Sequence, residues 1–251
     1  MTDIHSVAIV TGGSRGIGRA VALKLGKAGY TVVVNYASNA KAADEVVGLI
    51  GQDGGKAVAI QGDVSNEADV QALFVAADKL GPLKVLINNA GIMDTQARLD
   101  GMSTERLKKI LDINIMGSLL CAREAVKRMS TKHGGKGGAI VNLSSAAAVL
   151  GAPGMGVEYA ASKGAIEALT IGLGREVAAE GIRVNAVRPG IIDTDIHDSS
   201  GIPGRVKMMR DQIPIKREGS ADEVADVIAW LCSEQSSYVA GVIVPVAGGR
   251  C

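Results

Sequence analysis

Seven short apolar, mostly β-branched runs alternate with longer stretches of helical periodicity along the whole 251-residue chain. The runs are residues 7–10, 31–35, 57–61, 85–88, 139–143, 183–187 and 242–246, and the helical patterns lie near 17–28, 39–51, 66–80, 103–131, 157–180 and 221–233. A strand that is apolar on both faces must be covered on both, and each intervening segment is long enough for a right-handed crossover. The pattern therefore predicts an α/β chain with a parallel sheet and helices on both faces. No Pro-, Gly- or Ser-rich linker divides it, so residues 1–251 are expected to form one doubly wound domain. The one long irregular segment, about 190–214, is expected to act as a lid over a substrate.

Composition narrows the function. Hydrophobic residues make up 47% and aromatics only 2%, so the core must be built from Ala, Val, Ile and Leu. A net charge of +1 with no long run of one sign argues against nucleic acid or a membrane surface as partner. Cys121, Cys232 and Cys251 lack ligand spacing and leave an odd thiol if paired, which fits a reducing compartment. His5, His133 and His197 lie in unrelated contexts, and no metal site is expected. No signal peptide or membrane span is evident, and a cytoplasmic protein is expected.

Ligands of such sheets bind beyond the carboxyl ends of the strands. There the sequence reads Thr11-Gly12-Gly13-Ser14-Arg15-Gly16-Ile17-Gly18, between the first strand and the first helix. Glycines let such a turn bring backbone N–H groups against a pyrophosphate at a helix N-terminus; the plainer reading is a tight turn. Further on, Tyr159 and Lys163 stand four apart on a helix, on one face. A neighbouring ammonium favours the phenolate, so Tyr159 can exchange a proton with an alcohol near neutrality. Ser145 closes the strand at 139–143 and can hold the substrate oxygen. A lone Tyr/Lys pair would more simply be a solvated helix face.

Together these motifs resemble the short-chain dehydrogenase/reductase family over nearly the whole chain, in the family's order. The resemblance implies a Rossmann fold with seven parallel strands ordered 3-2-1-4-5-6-7, and hydride transfer between a nicotinamide dinucleotide and an alcohol or ketone. It implies catalytic roles for Ser145, Tyr159 and Lys163, with Asn114 supporting a proton-relay water. Lys163 and Tyr159 would also touch the cofactor. The implied cofactor contacts are Gly12, Ser14, Arg15, Gly16, Ile17 and Gly18 in the turn; Asp63 and Val64 after strand three; Asn89, Ala90 and Gly91 after strand four; and Pro189, Gly190, Ile192 and Thr194 after strand six. The 14-residue separation of Ser145 and Tyr159 is one longer than a common family spacing, so Ser144 stands as the alternative. Ser162 reads as a helix residue packed nearby. A homotetramer is also implied, joined through the helices flanking strand five and the C-terminal segment, with Ala165, Ala168 and Gly172 permitting close contact.

Cofactor choice turns on the end of strand two, where an acid would accept the adenosine ribose hydroxyls and repel a 2′-phosphate. Residues 33–39 contain none. Arg15 offers a guanidinium nearby, with Asn35, Tyr36 and Ser38 around it, so NADP(H) is expected over NAD(H), which stays possible. Arg205, Lys207 and Arg210 on the lid are candidates for an anionic substrate, or simply a solvated face. Two other functions are open: a 3-oxoacyl thioester (acyl-carrier-protein) reductase, and a dinucleotide-binding sensor without chemistry.

Overall fold

A computed structural model of the chain describes residues 6–194 and 208–251. Seven strands, β1 (Val7–Val10), β2 (Thr31–Tyr36), β3 (Lys56–Gln61), β4 (Leu83–Asn88), β5 (Gly138–Leu143), β6 (Ile182–Pro189) and β7 (Ile243–Val246), form one parallel sheet in the order β3-β2-β1-β4-β5-β6-β7. The expected order and strand positions hold.

Strand alternation sorts the core into two layers. Ala8, Val10, Val32, Val34, Val85, Ile87 and Val141 face helices α1 (Gly16–Lys27), α2 (Ala40–Gln52) and α8 (Ala221–Cys232). Their neighbours Val7, Ile9, Val33, Leu86, Ile140 and Val184 face α3 (Glu67–Asp78) and α5 (Gly117–Met129), with Val177 of α7 (Val157–Val177) closing that layer. Phe74 is the one phenylalanine and is fully buried there. Between the layers, the apolar side chains are those the composition demanded, each buried methylene contributing about 0.8 kcal/mol.

The helix expected over 103–131 is continuous from Thr104 to Met129, with one irregularity inside it. Helix α4 (Thr104–Leu111) runs into a five-residue π turn, Asp112–Met116, before α5 begins. Periodicity over 3.6 residues cannot reveal one extra residue in a turn, and such turns concentrate at functional sites. Asn114 sits in this one. Helix α6 (Ala147–Leu150) is a single turn between β5 and α7. A two-residue ladder, Ile192–Asp193 with Gly219–Ser220, ties the segment after β6 to the start of α8.

No helix among the described residues is long and apolar enough to cross a membrane, and no group of His, Cys, Asp or Glu among them could hold a metal ion. Cys121 and Cys232 are buried free thiols, each pushed up to about 12 mainly by that burial.

Candidate active site

The order of strands reverses between β1 and β4, and their ends are stitched together there. Thr11 Oγ1 donates to the carbonyl of Ile87 at 3.1 Å and accepts from the N–H groups of Asn89 and Ala90 at 3.0 Å. Asn89 Nδ2 donates back to the carbonyls of Thr11 and Gly12 at 2.8 and 2.9 Å. Gly12 takes a positive φ of 60° to make the turn. Gly18 serves close approach: a Cβ there would lie 2.3 Å from Gly12 O and 2.5 Å from Asn89 Nδ2. Gly18→Ala is expected to weaken dinucleotide binding about tenfold and to lower Tm by roughly 5 °C, by calorimetry and thermal unfolding; unchanged affinity would show that the turn yields without cost.

The turn is suited to an anion. Helices α2, α3, α4 and α8 carry side-chain caps from Asn39, Asn66, Ser103 and Ser220; α1, whose N-cap is Arg15, has no side-chain cap, and neither do α5, α6 and α7. The N-terminal N–H groups of α1 face a groove lined by Gly12, Ser14, Arg15, Gly16, Ile17, Tyr36, Ser38, Asp63, Val64, Asn89, Ala90, Gly91 and Thr194. Open N–H groups and the glycine cradle fit a pyrophosphate.

At the far end of the groove, one expectation needs correction. Asn35 lines the groove but is 2% exposed, and Nδ2 donates to the carbonyls of Ile60 at 3.3 Å and Gly62 at 3.0 Å. Both amide hydrogens are thus engaged in tying β2 to β3, and neither is available to a 2′-phosphate. Arg15 and Ser38 remain, exposed, and the Arg15 guanidinium makes no hydrogen bond or ion pair among the described residues. Asp63 is the one acid among the described residues lining this groove; its Oδ1 accepts from Ser65 N and Oγ at 2.9 and 2.7 Å, which fixes the carboxylate at the rim.

Beside the groove lies a cavity lined by Ser145, Tyr159, Lys163, Pro189, Gly190, Ile192 and Thr194. Lys163 Nζ donates to the carbonyl of Leu143 at 2.7 Å and lies 5.7 Å from the Tyr159 ring centroid. Burial pulls its ammonium down from the usual lysine value to about 8. The two serines divide. Ser144 is buried, and its hydroxyl donates to Glu167 Oε1 at 2.7 Å. Ser145 is half-buried, and its Oγ accepts from Ala147 N at 3.2 Å, which leaves its own hydrogen for a substrate oxygen in the cavity.

Asn114 lines neither space. It is buried under the β4 loop: Ile92 N donates to its Oδ1 at 2.8 Å, and its Nδ2 donates to Ile92 O at 2.9 Å and Ser162 Oγ at 3.1 Å. Ser162 in turn donates to the carbonyl of Tyr159 at 2.7 Å, so it links the π turn to the helix carrying Tyr159 rather than merely packing nearby. Gly91 stands between Asn114 and Lys163, since a Cβ there would meet Asn114 Oδ1 and Lys163 Nζ at 3.4 Å each.

Sequence reasoning missed the ion pairs behind the site. Arg188 Nε and Nη2 each donate at 2.8 Å to Glu167, the acid that receives Ser144. Burial works to raise the Glu167 carboxyl, but the hydrogen bonds from Arg188 and Ser144 outweigh it and hold the group below its usual value. Arg106 pairs with Glu158, the residue before Tyr159, which also lines the cavity with Met93, Asp94 and Arg250. Pairings across 52 residues leave no local signal. Of the lid cations, Arg205 and Lys207 lie outside the described residues, as does much of the expected lid, and Arg210 is held by Glu218.

A family model described as enoyl-(acyl carrier protein) reductase matches residues 12–250. An uncharacterized oxidoreductase, YgfF of Escherichia coli, is 56% identical over 98% of this chain and 100% of its own. Glucose 1-dehydrogenase 2 of Bacillus subtilis is 42% identical over 96% and 93%, and a 3-oxoacyl-(acyl-carrier-protein) reductase of Staphylococcus aureus 38% over 96% of each. The crystal structure of a dehydrogenase/reductase from Sinorhizobium meliloti superposes with a TM-score of 0.89 at 33% identity, covering 98% of this chain and 94% of that one.

Proposed function

The chain belongs to the short-chain dehydrogenase/reductase family and is an oxidoreductase acting on CH–OH groups; from that premise we propose that it moves hydride between NADP(H) and an alcohol or ketone, with Tyr159 as the acid/base. The observation that carries the proposal is the shared wall on which Ser145, Tyr159 and Lys163 face one cavity beside the anion-binding turn. A dinucleotide bound along the groove supplies or accepts the hydride.

The side chains do the rest. Tyr159 gives its phenolic proton to the substrate oxygen as a ketone is reduced and takes it back in the reverse direction. Ser145 Oγ–H donates to the same oxygen and stabilises the charge that develops on it. Lys163, with one N–H on Leu143 O, keeps two more for a ribose hydroxyl and for biasing the phenol. Asn114 and Ser162 hold the helix and the β4 loop in register.

NADP(H) is favoured by Arg15 and Ser38 and by the lack of any acid at the end of β2. Calorimetric titration is expected to show NADPH at least about tenfold tighter than NADH, with Arg15→Ala erasing most of the difference; a preference for NADH would overturn this assignment. A homotetramer in the cytoplasm completes the reading. Leu111, Met116 and Leu119 along α4, the π turn and α5 are exposed, as are Trp230, Tyr238 and Val242 near the C-terminal end. Ala168 and Gly172 are exposed on α7.

The second reading, reduction of a 3-oxoacyl thioester, draws support from the likeness to the S. aureus reductase and from the family model's description. It shares the same proton and hydride chemistry and differs only in what fills the cavity. The silent-sensor alternative lacks support, since Ser145, Tyr159 and Lys163 are all in place.

A further inference from the structure

An arginine usually meets a carboxylate fork to fork, one nitrogen on each oxygen. Arg188 on Glu167 and Arg128 on Asp78 do so here. Arg106 does not. Its Nε and Nη2 both donate to Glu158 Oε1, at 3.1 and 2.6 Å, and Oε2 is buried with no hydrogen-bond partner among the described residues. The Glu158 side chain is 3% exposed and that of Arg106 13%. A buried carboxylate oxygen left bare is costly, and such an atom calls for a specific explanation.

The cavity that holds the candidate reacting groups also reaches Glu158. Glu158 lines it beside Gly156 and Tyr159, and a Cβ on Gly156 would sit 3.7 Å from both Glu158 Oε2 and Tyr159 Cβ. The acid is thus one residue from the proposed acid/base. Resting on the reading of Tyr159 and this cavity given above, we propose that Glu158 Oε2 is a specificity-determining acceptor for a second hydroxyl of the substrate. The substrate class is then a neutral hydroxyketone or polyol, whose reacting oxygen meets Tyr159 and Ser145 while a nearby hydroxyl donates to Glu158. A simple ketone brings no donor there. A carboxylate placed at the same spot is repelled. A 3-oxoacyl thioester has neither hydroxyl nor amine beside its reacting carbonyl, so the same acceptor disfavours it.

The test compares 2-butanone, 3-hydroxy-2-butanone and 4-hydroxy-2-butanone on the full chain. Consumption of NADPH gives kcat and KM, and saturation-transfer NMR on the NADP-loaded protein gives binding. At least one hydroxyketone is expected to exceed 2-butanone in kcat/KM and in affinity by about 10- to 100-fold, the range of a hydrogen bond to a charged group. In Glu158→Gln, whose amide turns the acceptor into a donor, the ratio of hydroxyketone to 2-butanone kcat/KM collapses towards one, chiefly through the KM of the hydroxyketones. Equal turnover and binding of all three ketones by the wild type overturns the Glu158 site, and this comparison needs no variant to fold. Loss of 2-butanone turnover together with the hydroxyketones in a folded Glu158→Gln overturns it as well. Hydroxyketones that bind tightly only to the wild type, with no turnover of any ketone, would sink the oxidoreductase reading of the cavity and leave the Glu158 site standing.

Discussion

Tyr159→Phe is expected to lower kcat by about three orders of magnitude, within the range a positioned acid/base contributes, while NADPH affinity stays within about twofold and Tm within about 2 °C. The substitution removes one oxygen and keeps the ring that lies 5.7 Å from Lys163 Nζ. The helix is untouched, because Ser162 bonds the Tyr159 carbonyl rather than its side chain. Steady-state kinetics with the best ketone, next to calorimetry and thermal unfolding, separates the outcomes. A loss below about tenfold would mean that the proton comes from elsewhere, and a parallel fall in NADPH affinity would mean that the ring serves binding instead.

Lys163→Met gives the second large effect, and it divides activity from stability. Activity is expected to fall by at least about a thousandfold, since the cation proposed to bias the phenol and to reach the ribose is gone. Stability moves differently. Burial holds the Lys163 ammonium near 8 against an ordinary lysine value of 10.5, so the folded state carries the proton less readily than the unfolded one. Between those values the unfolded chain binds more protons, and stability from this group rises with pH. Below pH 8 the full cost is present, of order 3 kcal/mol for a shift of that size. Methionine removes the cost but strips the carbonyl of Leu143 of its donor, a penalty of about 1–3 kcal/mol. Near pH 7, Lys163→Met should therefore unfold at a temperature equal to or above that of the wild type, within a few degrees. From pH 8 to 10.5 the wild type should gain on it. Denaturant unfolding at pH 7 and pH 10 checks the sign; a variant several kcal/mol less stable at pH 7 would mean that the ammonium is stabilised where burial alone says it is not.

The layout of the sheet was legible because each strand is apolar on both faces, so that composition and periodicity leave one arrangement. The glycine turn and the Tyr159/Lys163 spacing were legible for a related reason: both are local, within one turn or one helix face. What the sequence hid was long-range. Nothing near residue 35 indicates that the carbonyls of Ile60 and Gly62 will claim both hydrogens of Asn35. The choice between Ser144 and Ser145 depends on Glu167, more than twenty residues later, and on Arg188 beyond it. The π turn at Asp112–Met116 escapes because a helix with one extra residue keeps nearly the same apolar stripe. Glu158 could have been noticed as an acid beside a tyrosine, but its geometry with Arg106 is a property of two helices meeting.

The stitching of β1 to β4 also says something about the order in which the chain acquires its properties. The hydrogen bonds that fix the Thr11–Gly12 turn from the far side come from Ile87, Asn89 and Ala90, 76 to 79 positions downstream. As the chain leaves the ribosome, the residues most diagnostic of nucleotide binding emerge first and wait longest for their support. A ligand that holds the finished turn cannot nucleate it, so it rewards only molecules that have already closed this contact. In a crowded cell, the dinucleotide acts on this protein as an inspector of completed folding rather than as a template for it.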